Sequence, residues 1–476
     1  MKFFWVFLVL VVAIIDSSSS QAQVPDWSIA GTILMPTGVV GDSTLSISQG
    51  KVGAIGPSSG FPGSPVKVDG IVIPGLIDLH NHLTWNVLPR WIPGRKFANR
   101  YEWQDTAEYD RVLQQPHNVV LNAAACETQI YAEIKAIIGG ATSVLGSLLP
   151  SASFPNNGDC SIGLARNLDV ASGFGFKKPV GDACANQFPG GVSPDLLDFV
   201  DNEVFPLELP HPRFDYLLCE LSKGNLKGLV VHLSEGANTD SSAHREFTML
   251  DKEKLLQPGV AIIHGTAIRP QDFPDMAKSS VGLIWSPRSN DELYGSTTNI
   301  PVALTAGVAV ALAPDWSPSG SAGMMQEMGY IARRYPTFSS NDLVAMATTT
   351  PAKLVRLDNL IGALTPGKYA DFVVLNVKVD PQSPRPLDAV VNATIADISL
   401  VVVGGQPLYG DAAVLAQTPL PAGAKLEPIT VCGAQKVIYL GESDAAPRHE
   451  SLADITKLLD SALKSAGSHL AEIECD

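Results

Sequence analysis

The amino-acid sequence predicts an α/β protein, with a central barrel of parallel strands and a small β-sandwich built from both ends of the chain. Apolar, strand-like runs alternate with helical stretches over residues 74–357, as such a barrel requires. Strand-rich blocks precede and follow this region. The chain of 476 residues is longer than one ordinary domain, and it suits a large barrel with an accessory domain.

The composition indicates a folded protein that does not bind nucleic acid. Apolar residues make up 45% of the chain and charged residues 17%, which is ample material for a core and unlike a disordered chain. The formal charge of −15 argues against nucleic acid, since such a partner requires a basic face. We expect a small molecule as the partner, and the sequence leaves open whether the chain forms a homo-oligomer.

Residues 1–22 predict a signal peptide. Lys2 supplies the positive n-region, residues 3–15 form an apolar h-region, and residues 20–22 (SQA) offer a small-residue cleavage site. The apolar run is shorter than the roughly 20 residues that span a bilayer, so cleavage is favoured over an uncleaved anchor. We therefore expect a secreted or periplasmic protein with no stable membrane span after cleavage.

In an exported protein the cysteines can form disulfides, because such bonds persist outside the cytosol. The chain has cysteines at positions 126, 160, 184, 219, 432 and 475. Cys160 and Cys184 bracket a Gly/Asn/Pro-rich stretch, and Cys432 and Cys475 bracket the C-terminal tail. These are the two predicted disulfides, and the other two cysteines could equally be buried thiols. No Cys-x-x-Cys spacing supports a cysteine–zinc site.

Turn-separated strands occupy residues 24–73, and a matching block occupies residues 358–410. We assign both blocks to one composite β-sandwich and the intervening residues 74–357 to the barrel. Residues 411–476 form a C-terminal extension, which we expect to pack on the body of the protein. Within it, Ser451 and Asp454 predict a capping box that opens a helix.

Six barrel strands are predicted at residues 76–80, 142–145, 229–232, 260–264, 282–285 and 308–313. Strands three and four are harder to place, and residues 162–168 are the candidate for the third. Residues 123–138 and 341–354 have the pattern of helices.

His80 and His82 end the first barrel strand. Side chains alternate along a strand, so these two point to the same side. At the carboxyl end of a barrel strand that side is the mouth where active sites lie, and two imidazoles one pleat apart can share a cation. On its own, this His-x-His pattern is weak evidence.

Three further strand ends carry a metal-type side chain. His232 and His264 each end an apolar run, and Asp315 follows another. Each could be a hydrogen-bonded histidine or a loop aspartate. Four strand ends of one barrel that all deliver such groups predict a metal site.

These motifs together resemble the amidohydrolase superfamily, over nearly all of the chain that follows the signal peptide. The hallmarks are residues 74–82 (PGLIDLHNH), the strand-end histidines, residues 313–317 (APDWS) and residues 364–375 (LTPGKYADFVVL). The resemblance implies a distorted (β/α)8 TIM barrel with a small composite β-sandwich, in agreement with the two flanking blocks.

The superfamily divides by metal count. Binuclear members usually carry a bridging carboxylated lysine or a glutamate at the end of strand four. No convincing equivalent is seen among the lysines considered, Lys177, Lys178, Lys223 and Lys227. His232 followed by Glu235 instead resembles the mononuclear branch of cytosine and guanine deaminases, triazine hydrolases and imidazolonepropionase. The resemblance thus implies one divalent metal ion, with Zn²⁺ expected and Fe²⁺ as the alternative.

By this resemblance the metal ligands are His80, His82, His232 and Asp315. Asp315 would also accept the proton of the attacking water. Glu235 would pass a proton to the substrate nitrogen, although it could be a solvated loop glutamate. His264 would polarise the attacked carbonyl or orient the water.

The sequence indicates the substrate-binding residues less clearly than the metal ligands. Arg288 and Asn290 follow strand seven in a string that resembles related deaminases, and both are candidate substrate-binding residues. Arg288 would meet a carboxylate, and Asn290 could instead be structural in its loop. Trp85, Trp91 and Trp103 could line the mouth, but core or surface packing is favoured for each. No role is assigned to His117, His211, His244, His449 and His469.

The predicted function is metal-dependent hydrolysis of a non-peptide carbon–nitrogen bond in a small molecule, in which water attacks an amide, cyclic amide or amidine carbon. Export favours amide cleavage over the alternative, deamination of an aminated heterocycle. Hydrolysis of C–O, C–Cl or P–O bonds and a non-catalytic barrel scaffold are further alternatives. The metal ligands do not distinguish the amidase from the deaminase.

Overall fold

The computed structural model describes residues 25–147, 164–174, 184, 199–204, 211–250, 252–441 and 450–475. The predicted signal peptide and Cys160 lie outside these residues. The fold is mixed α/β. Its strands are β1 Trp27–Met35, β2 Gly38–Ser48, β3 Lys51–Pro57, β4 Val66–Pro74, β5 Leu76–Asp78, β6 Ala141–Val144, β7 Arg166–Asn167, β8 Val200–Val204, β9 Gly228–Leu233, β10 Val260–His264, β11 Gly282–Trp285, β12 Val310–Leu312, β13 Phe372–Leu375, β14 Ile398–Val403, β15 Gln406–Gly410, β16 Leu426–Val431 and β17 Ala434–Tyr439.

Helices lie mostly between and after the parallel strands. They are α1 Arg100–Gln104, α2 Ala107–Tyr109, α3 Gln115–Ile138, α4 His211–Lys223, α5 Ser241–Met249, α6 Phe273–Lys278, α7 Pro287–Tyr294, α8 Ile300–Thr305, α9 Met324–Arg334, α10 Ser340–Ala347, α11 Thr349–Leu354, α12 Asp388–Val391, α13 Ala412–Leu415 and α14 Leu452–Ser465. None of the helices in the described part of the chain is long and apolar enough to cross a membrane.

A nine-stranded sheet joins the two ends of the chain, in the order β16-β17-β15-β14-β13-β4-β1-β2-β3. The two flanking strand blocks meet where β4 pairs antiparallel with β13, with Ile73 opposite Val373. Strands from both ends of the chain therefore lie in one sheet, and their assignment to a composite β-sandwich stays a prediction. The β16–β17 hairpin, from the segment after residue 411, extends one edge of this sheet.

Eight parallel strands form two further sheets, ordered β5-β6-β7 and β12-β11-β10-β9-β8. Backbone contacts connect the sheets at both sides. Asn81 forms an isolated parallel β-bridge with Asp315. The Val200 amide donates to the Leu168 carbonyl over 3.0 Å. The structure thus gives eight parallel strands in continuous spatial order.

The alternation of side chains along these strands determines which way the candidate metal-binding side chains point. Small and branched residues of one parity pack together in a buried cluster that includes Val230, Ala261, Ile263, Ile284, Ala311 and Ala313. Residues of the other parity, such as Leu229 and Val231, pack in the cluster shared with the helices. His232 continues the row of Val230, and Asp315 continues the row of Ala313. Both side chains therefore emerge at the carboxyl end of the strands.

The predicted strands correspond closely to the observed ones, and β10 and β11 agree in both bounds. The third strand, β7, falls within the candidate segment 162–168. The fourth, β8, was not placed, because its residues 201–203 (DNE) interrupt the apolar pattern. The helix predicted at 341–354 is two helices, α10 and α11, separated at Thr348, which has the non-helical dihedrals φ −133° and ψ −80°.

The C-terminal segment packs on the body, as expected. Ser451 and Asp454 form the predicted capping box of α14. The Ala471 amide donates to the Val87 carbonyl over 2.8 Å, which ties the tail to the segment after β5.

One predicted disulfide is confirmed and the other is wrong. Cys432 is bonded to Cys475, with Cα atoms 5.6 Å apart. Cys184 is bonded to Cys219 on α4, with Cα atoms 5.8 Å apart, and not to Cys160. Cys126 is also disulfide-bonded. The partner of Cys184 lies on α4, 35 positions along the chain, and the spacing of cysteines in the sequence does not reveal such a pairing.

Candidate metal centre

Asp315 lies between the two histidines of the first strand. Its Oδ1 atom is 3.2 Å from His80 Nε2 and 3.5 Å from His82 Nε2. Backbone bonds hold this arrangement, because the Asp315 amide donates to the His80 carbonyl over 3.1 Å and the His82 amide donates to the Asp315 carbonyl over 2.9 Å. The first and last parallel strands therefore bring a carboxylate and two imidazoles to one point.

His232 and His264 complete the cluster from the opposite side. His232 Nε2 is 3.0 Å from His80 Nε2, and the His80 and His264 ring centroids are 4.7 Å apart. Among the described residues, two sets of side chains could each hold a metal ion: His80, His232 and His264, and His80, His82 and Asp315. All four predicted strand ends thus converge.

In each histidine, the hydrogen-bond partner of Nδ1 bears on which ring nitrogen carries the proton and which presents a lone pair to the centre. His232 Nδ1 lies 3.2 Å from the Glu203 backbone oxygen, an acceptor only, so Nδ1 carries the proton and Nε2 presents a lone pair. His264 Nδ1 lies 2.9 Å from Asn290 Oδ1 and is protonated for the same reason. His80 Nδ1 lies 3.0 Å from Ser286 Oγ.

This donor set fits a divalent cation. Burial and the neighbouring imidazoles hold the pKa of His80 and that of His232 well below the usual value, so both rings are neutral. When His80 Nδ1 donates to Ser286 Oγ, the Nε2 atoms of His80 and His232, 3.0 Å apart, both present lone pairs beside a carboxylate, which is a donor set that suits a divalent cation. Burial also raises the pKa of Asp315, and a bound cation would favour its ionised form.

Two of these residues have strained backbones. His264 has φ 64° and Asp315 has φ 72°, in the left-handed region that non-glycine residues rarely adopt. Such outliers persist where the surrounding structure determines them, and they cluster at functional sites.

Glu235 lies beside the histidines, where the sequence predicted a proton-transfer group. Its Oε1 atom is 3.7 Å from His264 Nε2, and the Tyr294 hydroxyl donates to the same oxygen. Trp103 Nε1 donates to the Tyr294 hydroxyl over 2.8 Å. Glu235 is therefore a buried, oriented carboxylate and not a solvated loop residue.

The two predicted substrate-binding residues lie apart. Asn290 is fully buried, accepts from His264 Nδ1 and donates to Thr297 Oγ1 over 3.1 Å. The Arg288 guanidinium lies 5.9 Å from the Tyr330 ring centroid, near the charge of Glu327. The structure brings Asn290 to the cluster and places Arg288 beside α9, so its substrate role stays a prediction.

A buried amide relay joins the first-strand motif to the loop of Asp315. Asn86 Nδ2 donates to Asn81 Oδ1 over 2.8 Å, and Asn86 Oδ1 accepts from the Ser317 amide over 2.7 Å. Asn81 Nδ2 in turn donates to Asp78 Oδ2 over 2.6 Å. Sequence reasoning missed Asn86, as it missed Ser286 and Tyr294, because each acts through a partner that is remote in the chain.

We predict that Asn86→Ala destabilises the fold by about 1–3 kcal/mol, since it leaves the Ser317 amide and Asn81 Oδ1 buried without partners. Activity should fall by about 10- to 100-fold as Asp315 loses its support. Urea unfolding and steady-state kinetics check both. The matched control is Asn392→Ala, because Asn392 is exposed and its amide bonds only the local Asp388 carbonyl. Equal stability of the two variants would contradict the relay.

The sequence match decides the family. Residues 71–408 match the model of the amidohydrolase family. The chain belongs to this family. As an amidohydrolase, it is a metal-dependent hydrolase that acts on carbon–nitrogen bonds.

Curated and solved relatives agree with this assignment. A 5-methylthioadenosine/S-adenosylhomocysteine deaminase of Moorella thermoacetica is 22% identical over 403 residues, which cover 78% of this chain and 90% of that protein. The E. coli guanine deaminase has a TM-score of 0.61 at 18% identity and covers 81% of this chain and 99% of its own. A zinc-bound adenosine deaminase from Xanthomonas campestris has a TM-score of 0.62 at 15% identity and covers 93% and 98%. The structural likenesses show a shared fold.

Proposed function

We propose that this amidohydrolase is a deaminase of an aminated heterocycle, and that its eight parallel strands close into a distorted (β/α)8 barrel beside a composite β-sandwich. The observation that carries the activity is the placement of Glu235 Oε1 3.7 Å and Asp315 Oδ2 3.9 Å from His264 Nε2. Two buried carboxylates and a neutral imidazole therefore face one reaction centre.

One divalent metal ion, with zinc expected and iron(II) as the alternative, would be held by His80, His82, His232 and Asp315. The donor set described above supports this assignment. A glutamate at the end of the fourth strand would be typical of a binuclear site, and Glu203 lies on β8, the fourth strand. Both candidate donor groups in the described chain share His80, however, and neither includes Glu203. When bound, such an ion lowers the pKa of a coordinated water towards neutrality.

The carboxylates divide the proton transfers. Asp315 accepts the proton of the attacking water as the carbon becomes tetrahedral. Glu235, held by Tyr294, delivers its proton to the nitrogen that leaves as ammonia and regains a proton from Asp315, so that water supplies the third hydrogen of ammonia. His264, oriented by Asn290, donates to or aligns the group at the attacked carbon.

Deamination is preferred over amide opening because of the relatives. Those reported above are deaminases of aminated purine compounds, whereas the same residues would serve either reaction. We further propose that the protein is exported, secreted or periplasmic. The disulfides Cys184–Cys219 and Cys432–Cys475 support this, because such bonds persist in oxidising compartments.

Ammonia release tests the proposal. The zinc-loaded protein should deaminate at least one of guanine, adenosine, 5-methylthioadenosine and S-adenosylhomocysteine, with ammonia and ring product formed in equal amounts. A parallel set of cyclic amides should give ring opening without ammonia if the amide alternative holds. Turnover of amides alone would overturn the deaminase assignment and leave the hydrolase intact.

A further inference from the structure

A cavity of about 340 Å³ opens beside His82. Its lining comes from the carboxyl ends of four successive parallel strands, with His82 at one side and Asn202 at the other. Pockets of this size hold small ligands. Because the reaction centre borders the cavity at His82, a ring whose carbon is attacked there would extend into the cavity.

Trp85 gives the cavity an aromatic wall. Its indole lines the cavity and stacks on the His117 imidazole, with centroids 3.8 Å apart and planes 15° apart. Tyr109 also stacks on the indole, at 6.2 Å and 15°. Both rings come from the helical stretch 107–138, and Trp85 remains partly exposed. His117 Nε2 also pairs with Thr84 Oγ1 over 2.9 Å, which anchors the stack.

The side-chain oxygen of Asn202 is a hydrogen-bond acceptor that no donor in the described chain satisfies. Its Oδ1 atom is buried and has no hydrogen-bond partner in the described chain. Asn202 has the same parity on β8 as Val200, which belongs to the cluster inside the strands, so its side chain faces the cavity side. A buried carbonyl oxygen that stays unpaired is costly, and an N–H or O–H of a ligand would satisfy it.

We propose that this cavity is the subsite for the substrate ring, in which Trp85 stacks on a planar heterocycle and Asn202 Oδ1 accepts a hydrogen bond from a ring or exocyclic N–H. His117 is a positioning residue that holds the indole. This inference rests on the proposed deaminase function, which gives the ring its place beside the metal centre. It assigns specificity to residues outside the predicted site.

Purine tests the subsite without turnover, because it is planar, carries a ring N–H and has no amino group to lose. We expect purine to bind the zinc-loaded wild-type protein and to quench tryptophan fluorescence. Trp85→Leu and Asn202→Ala should each weaken purine binding by about 10-fold or more, measured by calorimetry. Trp85→Phe should retain most of the affinity because it keeps a π-face. Piperazine, which has N–H donors but no planar ring, should not bind.

Kinetics on the best deaminated compound supply the second readout. KM should rise by about 10-fold or more in Trp85→Leu and Asn202→Ala while kcat changes by less than about 3-fold. Trp27→Leu is the matched control, because Trp27 lies on β1 beside Phe372. Absence of purine binding to the wild type, or unchanged purine affinity in both variants, would overturn the subsite even if ammonia release persists. Variant-sensitive purine binding without ammonia release would support the subsite and refute the deaminase.

Discussion

His80→Ala is expected to abolish stoichiometric metal binding and to lower kcat/KM by more than about 1000-fold. His80 is fully buried and belongs to both candidate donor groups of the described chain. Loss of an outer partner of a metal ligand already costs about 10- to 100-fold, so loss of the ligand shared by both groups should cost more. Without the ion, the attacking water would lack the roughly 9-unit fall in its pKa that a bound metal can give.

Elemental analysis and kinetics check this result together. The wild-type protein should carry one equivalent of zinc or iron, and thermal unfolding should show that added zinc stabilises it but not His80→Ala. His469→Ala is the control, because His469 lies in the C-terminal tail beyond α14 and ends no parallel strand. Two equivalents of metal in the wild type would contradict the mononuclear assignment. Full occupancy in His80→Ala would contradict the ligand itself.

The parallel strands that deliver the metal cluster could be predicted because one physical rule governs them. Runs such as β9 and β10 are buried on both sides, so they are continuously apolar until a polar side chain marks the strand end. β8 breaks that rule. Its residues 201–203 are polar and border the cavity, so a hydrophobic pattern does not reveal this strand.

Contacts between distant loops could not be predicted for a different reason. Ser286 reaches His80 across 206 positions and Asn86 reaches Ser317 across 231. A serine or asparagine in a loop has many satisfactory partners, and only the assembled fold selects one. The same holds for Cys184, whose bond to Cys219 depends on where α4 packs. The periodicity of a sequence indicates which residues are buried, whereas the roles of Ser286, Asn86 and Cys184 depend on partners that are close only in the folded protein.

Glu235→Gln is expected to lower kcat by about 10²- to 10⁴-fold, the range for loss of a positioned acid or base, while metal content stays at the wild-type level. Glutamine keeps the size of Glu235 and can still accept from Tyr294, but it cannot exchange a proton. Because Glu235 belongs to neither candidate donor group in the described residues, the ion should remain. This separation distinguishes Glu235 from His80.

Two further variants decide whether the carboxylate itself matters. Glu472→Gln, at an exposed position of the tail, should leave kcat unchanged. Tyr294→Phe removes the hydroxyl that donates to Glu235 but keeps the carboxylate, so its kcat should fall less than that of Glu235→Gln. If Glu235→Gln keeps kcat within about 3-fold of the wild type, proton delivery must come from elsewhere. A loss of kcat with full metal occupancy, and a smaller loss in Tyr294→Phe, would place the proton on Glu235 because Tyr294→Phe retains the carboxyl that Glu235→Gln lacks.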